Sequence, residues 1–289
     1  MQFENIYKIL PIFFFVFFYI ILKQIKIDKV YKKFYQLNAI KNKVKKSGKN
    51  YNKYNTNYIK KIKKVVYSIV VDEYDKISTF KKQEGYNYFL FSDRNYKNTN
   101  WTIISISNLI NKTNISKIKM TRFFKLFPHL FFKDYDLSIY FDASFIIKGN
   151  LNELLLRTLN PSFDLYLLQH PFTNKVFKEI SIVVYYKKDT NESVNIVKKR
   201  YIEENFPDNL GLTENCIIIR RHNKKKIIKL MEIWWNEIKN YSYRDQLSLN
   251  YAIWKLNSNL KIYYLSKRFV KEYFSYRKHS KSLEYGKLK

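Results

Sequence analysis

Apolar positions along this chain gather into short runs separated by polar stretches, and the runs read as alternating strands and helices. Lys64-Val-Val-Tyr-Ser-Ile-Val-Val71 is a buried-strand run, residues 86–91 a second and residues 101–106 a third. Residues 116–126 read as a helix that stops near Pro128. Further strands are predicted at 137–141, 165–168 and 216–219, and further helices at 226–239 and 243–256. Such alternation predicts an α/β sandwich with a mostly parallel sheet. With no internal repeat and no Pro/Gly hinge, residues 65–289 read as one domain of catalytic size.

The N-terminus has a different pattern. Residues 9–22 are uncharged and Phe-rich, with no polar face. With Ile6 and Tyr7 across Lys8, the run reaches the lower length limit for a spanning helix, about 17 residues. Residues 1–22 are therefore read as a single-pass membrane anchor. The competing readings are a cleaved signal, although no small-x-small site follows, and a buried core helix. Residues 23–64 are rich in Lys, Asn and Tyr and read as a stem, partly helical over 29–38. Its lysines either rest on anionic headgroups or simply solvate a spacer.

Composition narrows the function. At 46% hydrophobic and 18% aromatic residues, the chain is too apolar to be disordered despite a formal charge of +30. Cys216 is the only cysteine, which excludes an intrachain disulfide and any cysteine-based zinc or iron–sulfur site. Lysines number 45 and arginines 9, whereas nucleic-acid readers lean on arginine. The joint excess of Lys, Asn, Ile, Tyr and Phe looks like AT-rich codon drift. The stem carries 15 Lys against the single acid Asp28, which is +14 and nearly half the total.

Two acids close strands, Asp93 after Tyr88-Phe-Leu-Phe-Ser and Asp142 after Leu137-Ser-Ile-Tyr-Phe. Ligands of open α/β sheets bind beyond the carboxyl ends of strands, where such acids need a cationic or donor partner. A strand-end turn or helix cap is the structural alternative for each. Arg122 and Lys125 lie three residues apart, on one helical face, just ahead of the Asp142 strand. They suit a diphosphate, or else a solvated face.

The string Tyr140-Phe-Asp-Ala-Ser-Phe-Ile-Ile-Lys-Gly-Asn-Leu151 resembles the DxD region of GT-A glycosyltransferases. Taken together, several blocks in order resemble the glycosyltransferase-like domain named after the TOD1 and mucilage-related proteins. They are Val66-Tyr67 with Glu73-Tyr-Asp75, Tyr88 to Asp93, Arg122-Phe-Phe-Lys125 with Pro128-His129, Asp134 to Asp142, His170-Pro171, Asn209 to Glu214, Arg220-Arg-His222, Trp234-Trp235 and Arg244-Asp-Gln-Leu-Ser248. The resemblance implies a GT-A fold, with a Rossmann-like half for a nucleotide-sugar and a second half shaping the acceptor site. It implies donor contacts at Asp75, Asp93, Arg122, Lys125, Asp142, Ser144 and Arg244. It also implies a divalent metal, Mn2+ or Mg2+, on Asp142, with Ser144 standing where the second acid of the motif belongs and His279 as a late ligand. Asp245 and Gln246 would face the donor sugar, with Asp245 orienting a hydroxyl or acting as base, and His170 would touch sugar or acceptor.

The leading expectation is a membrane-anchored glycosyltransferase moving a hexose-type sugar from a nucleotide donor to a glycan, lipid or protein. A secretory-pathway enzyme of this layout has a luminal body, whereas the lysines after the anchor favour the cytoplasmic side, so orientation stays open. The alternative is a non-catalytic, membrane-tethered binder of polyanions or glycans on the same fold, and Ser144 favours it.

Overall fold

The computed structural model describes residues 53–278. The anchor reading, nearly all of the stem and His279 lie outside these residues. No helix among the described residues is long and apolar enough to cross a membrane.

Seven strands form one twisted sheet in the order β3-β2-β1-β4-β7-β6-β8. They are β1 Lys64–Val70, β2 Tyr86–Ser92, β3 Thr102–Ser105, β4 Leu137–Phe141, β6 Leu165–Gln169, β7 Thr213–Arg220 and β8 Ile262–Leu265. Lys64 of β1 sits in parallel register with Tyr86 on one side and Leu137 on the other. Only β7 runs against its neighbours β4 and β6. Six carboxyl ends therefore meet at one edge of the sheet, where ligands of such sheets bind.

The strands alternate sides, as a two-faced buried sheet requires. Val66, Leu90, Ile139 and Phe141 point to one core, closed by the helix Leu151–Thr158. Val65, Tyr67, Phe91 and Tyr140 point to the other. That second core is covered by the helices Lys117–Leu126, Lys225–Asn240 and Asp245–Leu256. The helices Val176–Tyr185 and Asn191–Glu203 pack a third cluster around Tyr201, Leu247 and Tyr251.

The folded body starts earlier than the expected boundary at Val65. Lys53–Lys61 is a helix whose Ile59 is buried, and Ile62 just beyond it is buried as well. The ammonium of Lys64 is itself buried and donates to the carbonyls of Ile59 at 2.5 Å and Ile62 at 3.1 Å. These are carbonyls a helix end leaves without partners. Two isoleucines in a Lys/Asn-rich stretch give too little periodicity for this to show in the sequence.

A small second sheet was also not apparent from the sequence. β5, Phe145–Ile147, pairs antiparallel with β9, Phe274–Tyr276, just beyond the Asp142 strand. Gly149 lets the two segments close up. A Cβ there would lie 2.8 Å from both the Glu272 carbonyl and the Tyr273 Cα, while the Gly149 N–H donates to Tyr273 O. Gly149→Ala should therefore cost about 1–3 kcal/mol through overpacking against backbone that cannot yield. Urea denaturation of the variant beside wild type checks this, and equal midpoints would contradict the contact.

Candidate functional site

β4 ends in five buried residues, and its last turn presents Asp142 at the carboxyl edge. The Asp142 N–H donates to the Cys216 carbonyl of β7, and its own carbonyl accepts from the Phe145 N–H at 2.8 Å. The backbone of Asp142 is thereby fixed from both sides. Its carboxylate accepts from the Tyr140 hydroxyl at 2.5 Å and remains 35% exposed.

Lys125 reaches this carboxylate from the helix Lys117–Leu126. Its side chain is only 2% exposed, and its ammonium lies 3.7 Å from Asp142 Oδ1 and 2.6 Å from Asp245 Oδ2. Arg122, one turn earlier on the same helix, brings its Nε to 3.9 Å from the same Asp245 oxygen. The result is a line of alternating charge, Asp142, Lys125, Asp245, Arg122. Burial opposes ionisation of Asp245, but Lys125 and then Arg122 outweigh it and hold the carboxyl down at about 2. Asp245 is the first residue of its helix, where the helix dipole also favours an anion. The Trp234 indole donates to its carbonyl at 3.1 Å, so Trp234 is a core residue that fixes this helix start.

The backbone of Lys125 is clamped as firmly as its ammonium. The Tyr67 hydroxyl donates to its carbonyl at 2.6 Å, and the Arg220 guanidinium donates to the same oxygen.

The other candidate residues fall into distinct places. Asp93 leaves the same sheet edge two strands away from Asp142, about 10 Å by strand spacing. Its carboxylate accepts the Asp72 N–H at 3.1 Å and so caps the loop after β1, where Asp72 and Glu73 have positive φ. Asp75 is buried in that same loop, within electrostatic reach of Tyr276. Ser144 is buried, and its carbonyl accepts the Arg277 N–H at 2.7 Å. The position that the resemblance gives to the second acid of the DxD motif is thus closed off from solvent here. Arg244 and Gln246 are joined at 3.1 Å beside Asp245.

His170, expected to touch sugar or acceptor, is buried at the end of β6. Its Nδ1 accepts the N–H of Thr173 at 3.1 Å, which puts the ring proton on Nε2, 3.7 Å from the buried Glu179. Burial lowers its pKa to about 4. A neutral ring with both nitrogens turned to the protein is not available as a base, so His170 holds the loop that follows it.

Three residues at this edge were not singled out from the sequence. Tyr140 bonds Asp142 directly. Glu214, at the start of β7, lies 3.5 Å from Lys267, and burial raises its pKa, with Asp142 adding to the rise. Glu179 faces His170 from the helix Val176–Tyr185, and burial raises its pKa too. Glu214 closes a block already noted in the resemblance, whereas Glu179 gives no sequence signal beyond an acid in a helical apolar run.

The mixed, mostly parallel sheet with helices on both faces agrees with the GT-A architecture that the resemblance implies. Among solved structures the chain is similar to the bifunctional glycosyltransferase WbbM in its apo form, 13% identical over 71% of this chain, with a TM-score of 0.42. The chain spans 39% of that protein. It is also similar to mouse xyloside xylosyltransferase 1, 10% identical over 69% of this chain and 84% of that one, TM-score 0.43. A third similar structure is the galactosyltransferase LgtC with donor and acceptor sugar analogues, 11% identical over 71% of this chain and 74% of that one, TM-score 0.39. No curated protein matches the chain. A family profile described as TOD1/MUCI70, glycosyltransferase-like domain, matches residues 27–279, which takes in every element described above. With nearly the whole chain matched, the protein belongs to the TOD1/MUCI70 glycosyltransferase-like family.

Proposed function

We propose that this chain is a glycosyltransferase that moves a hexose-type sugar from a nucleotide-sugar donor to an acceptor at the carboxyl edge of its sheet, and that residues 1–22 anchor it in a membrane. The observation that carries the reading is the buried ion line from Asp142 to Arg122 at that edge. A leaving nucleoside diphosphate gathers negative charge as the sugar bond breaks, and catalysis consists largely in stabilising it. Arg122 Nε and Arg244 Nε are buried without a hydrogen-bond acceptor, so two guanidinium donors beside the line stand ready for phosphate oxygens.

The four charges of the line sum to zero, so they do not neutralise a diphosphate by themselves. This supports a divalent ion, Mn2+ or Mg2+, as cofactor. Among the described residues no three His, Cys, Asp or Glu side chains could hold a metal together. Asp142 nonetheless fits an ion whose other ligands are phosphate oxygens and water, as is usual for magnesium. Its carboxylate is the most exposed member of the line, at 35% against 21% for Arg122. His279 is the proposed second ligand. Support comes from Arg277, two residues earlier, whose amide is tied to Ser144 in the Asp142 turn. When bound, the ion would neutralise the diphosphate.

Asp245 is assigned to charge and orientation. A carboxyl held near 2 by Lys125 is a poor proton acceptor at neutral pH. Its anion fixes the Lys125 ammonium between two carboxylates, and Gln246 beside it would orient a sugar hydroxyl.

Three outcomes follow. Asp142→Asn removes the one carboxylate offered to the ion and should lower metal-dependent transfer or donor hydrolysis about 30- to 1000-fold. A screen of nucleotide-sugars with and without Mn2+ measures it, and unchanged turnover would remove the metal from the mechanism. Asp245→Asn strands Lys125 and should destabilise the fold by about 3–5 kcal/mol in urea titrations at neutral pH. In wild type the stability lent by this depressed carboxyl is complete above about pH 4 and is lost as pH falls through about 2. The variant should lack that acid-sensitive component, and parallel profiles for the two proteins would argue against the pair. Full-length chain should stay with membranes through carbonate washing and be released when residues 1–22 are deleted, whereas carbonate release of the full chain would exclude the anchor.

A further inference from the structure

Phe172 leaves 68% of its surface in solvent. Exposure alone says little, since single apolar side chains are common on protein surfaces. Tyr185 is exposed to 78%. What sets Phe172 apart is its mounting. Pro171 restricts the chain just before it. The buried His170 ring accepts the backbone N–H of Phe172 at 3.4 Å and that of Thr173 at 3.1 Å, and the backbone N–H of His170 donates to Leu212 O at 3.0 Å. The two rings stand edge to face with centroids 6.1 Å apart. A buried polar residue thus spends its acceptor nitrogen on fixing an aromatic ring that faces water.

The surroundings of the ring are polar and charged, unlike those of a core residue that failed to bury. Lys267, just beyond β8, holds its ammonium 5.7 Å from the Phe172 centroid and 3.5 Å from Glu214. These residues stand at the ends of adjacent strands in the order β4, β7, β6, β8, on the same edge as Asp142. Strand spacing puts the β6 end about 10 Å and the β8 end about 14 Å from the Asp142 strand. That span is the room a donor sugar and the first acceptor sugar would take together.

We propose that Phe172, Lys267 and Glu214 form the acceptor platform, and that the acceptor is a glycan. Its sugar would lay an apolar C–H face on the Phe172 ring while Lys267 and Glu214 take its hydroxyls. An aromatic ring beside one donor and one acceptor group is a surface suited to a sugar, which is apolar on its faces and hydroxylated at its rim. His170 acts as a positioning residue for this platform. The inference rests on the glycosyltransferase reading for its purpose, but its binding chemistry is tested separately.

The test uses the purified full-length chain in detergent on an array of immobilised, defined oligosaccharides, with nucleotide-sugar hydrolysis followed in parallel. Wild type should bind a subset of the oligosaccharides. Phe172→Ala should weaken that binding about tenfold, as loss of an anchoring aromatic does. Phe172→Trp should preserve it, Lys267→Ala should weaken the same oligosaccharides from a separate element, and Tyr185→Ala should change nothing. Unaltered binding by Phe172→Ala would overturn the platform. So would a wild-type chain that hydrolyses a donor, binds no oligosaccharide and transfers to a lipid or peptide instead, while the enzyme reading would survive. Phe172-dependent oligosaccharide binding without hydrolysis of any donor would uphold the platform and defeat the enzyme reading.

Discussion

A buried ammonium is tolerated only where anions and acceptors surround it, and Lys125 is held in this way from every side. Asp245 and Asp142 take its charge, and its ammonium lies 5.0 Å from the Tyr140 ring centroid. Through this one residue the helix Lys117–Leu126 is joined to β4 and to the start of the helix Asp245–Leu256. Its backbone carbonyl adds β1, through Tyr67, and β7, through Arg220. The sheet order makes the arrangement possible. With β4 between β1 and β7, side chains from three adjacent strands converge on the end of a single helix.

Arg220 gives the arrangement its second demand. It is fully buried, and no carboxylate of the described residues lies within 4 Å of it. Its partners are the Tyr67 hydroxyl, the Lys125 carbonyl and the Met231 sulfur. Burial pushes its pKa down, against the support of Tyr67. Burial raises the Tyr67 hydroxyl to about 12, so tyrosinate does not form to compensate. The counter-charge comes from the end of the helix Lys117–Leu126, whose last carbonyls form the negative pole of its dipole. His222 next to this cluster is kept neutral by burial, with its pKa lowered to about 4, and adds no further positive charge.

The sequence shows what lies within one element and hides what lies between elements. Buried runs such as residues 64–71 and 137–141 are continuous and apolar, so the main strands and their parallel arrangement are legible from them. The i, i+3 spacing of Arg122 and Lys125 is legible too. Their partner Asp245 lies 120 residues from Lys125, and no local pattern announces such a pairing. β5 and β9 have three residues each, too short for a periodicity to register. His170 is a different case. A histidine before a proline at a strand end suggests reactivity, but a sequence cannot show that backbone amides occupy its acceptor nitrogen.

The ion line also bears on how an anionic ligand would approach. Its central pair, Lys125 and Asp245, is enclosed, with Lys125 almost wholly buried, while Asp142 at 35% and Arg122 at 21% exposure stand at its two ends. The line therefore meets an anion with a carboxylate at one end and a guanidinium at the other, and not with the Lys125 ammonium. A bare phosphate at the Asp142 end would be repelled, since like charges at close range repel. A divalent cation carried by a diphosphate would reverse the sign of that encounter and leave the Lys125 pairs intact. The two ends of the line would thus treat an anion differently, Arg122 by direct pairing and Asp142 only with a cation between itself and the phosphate.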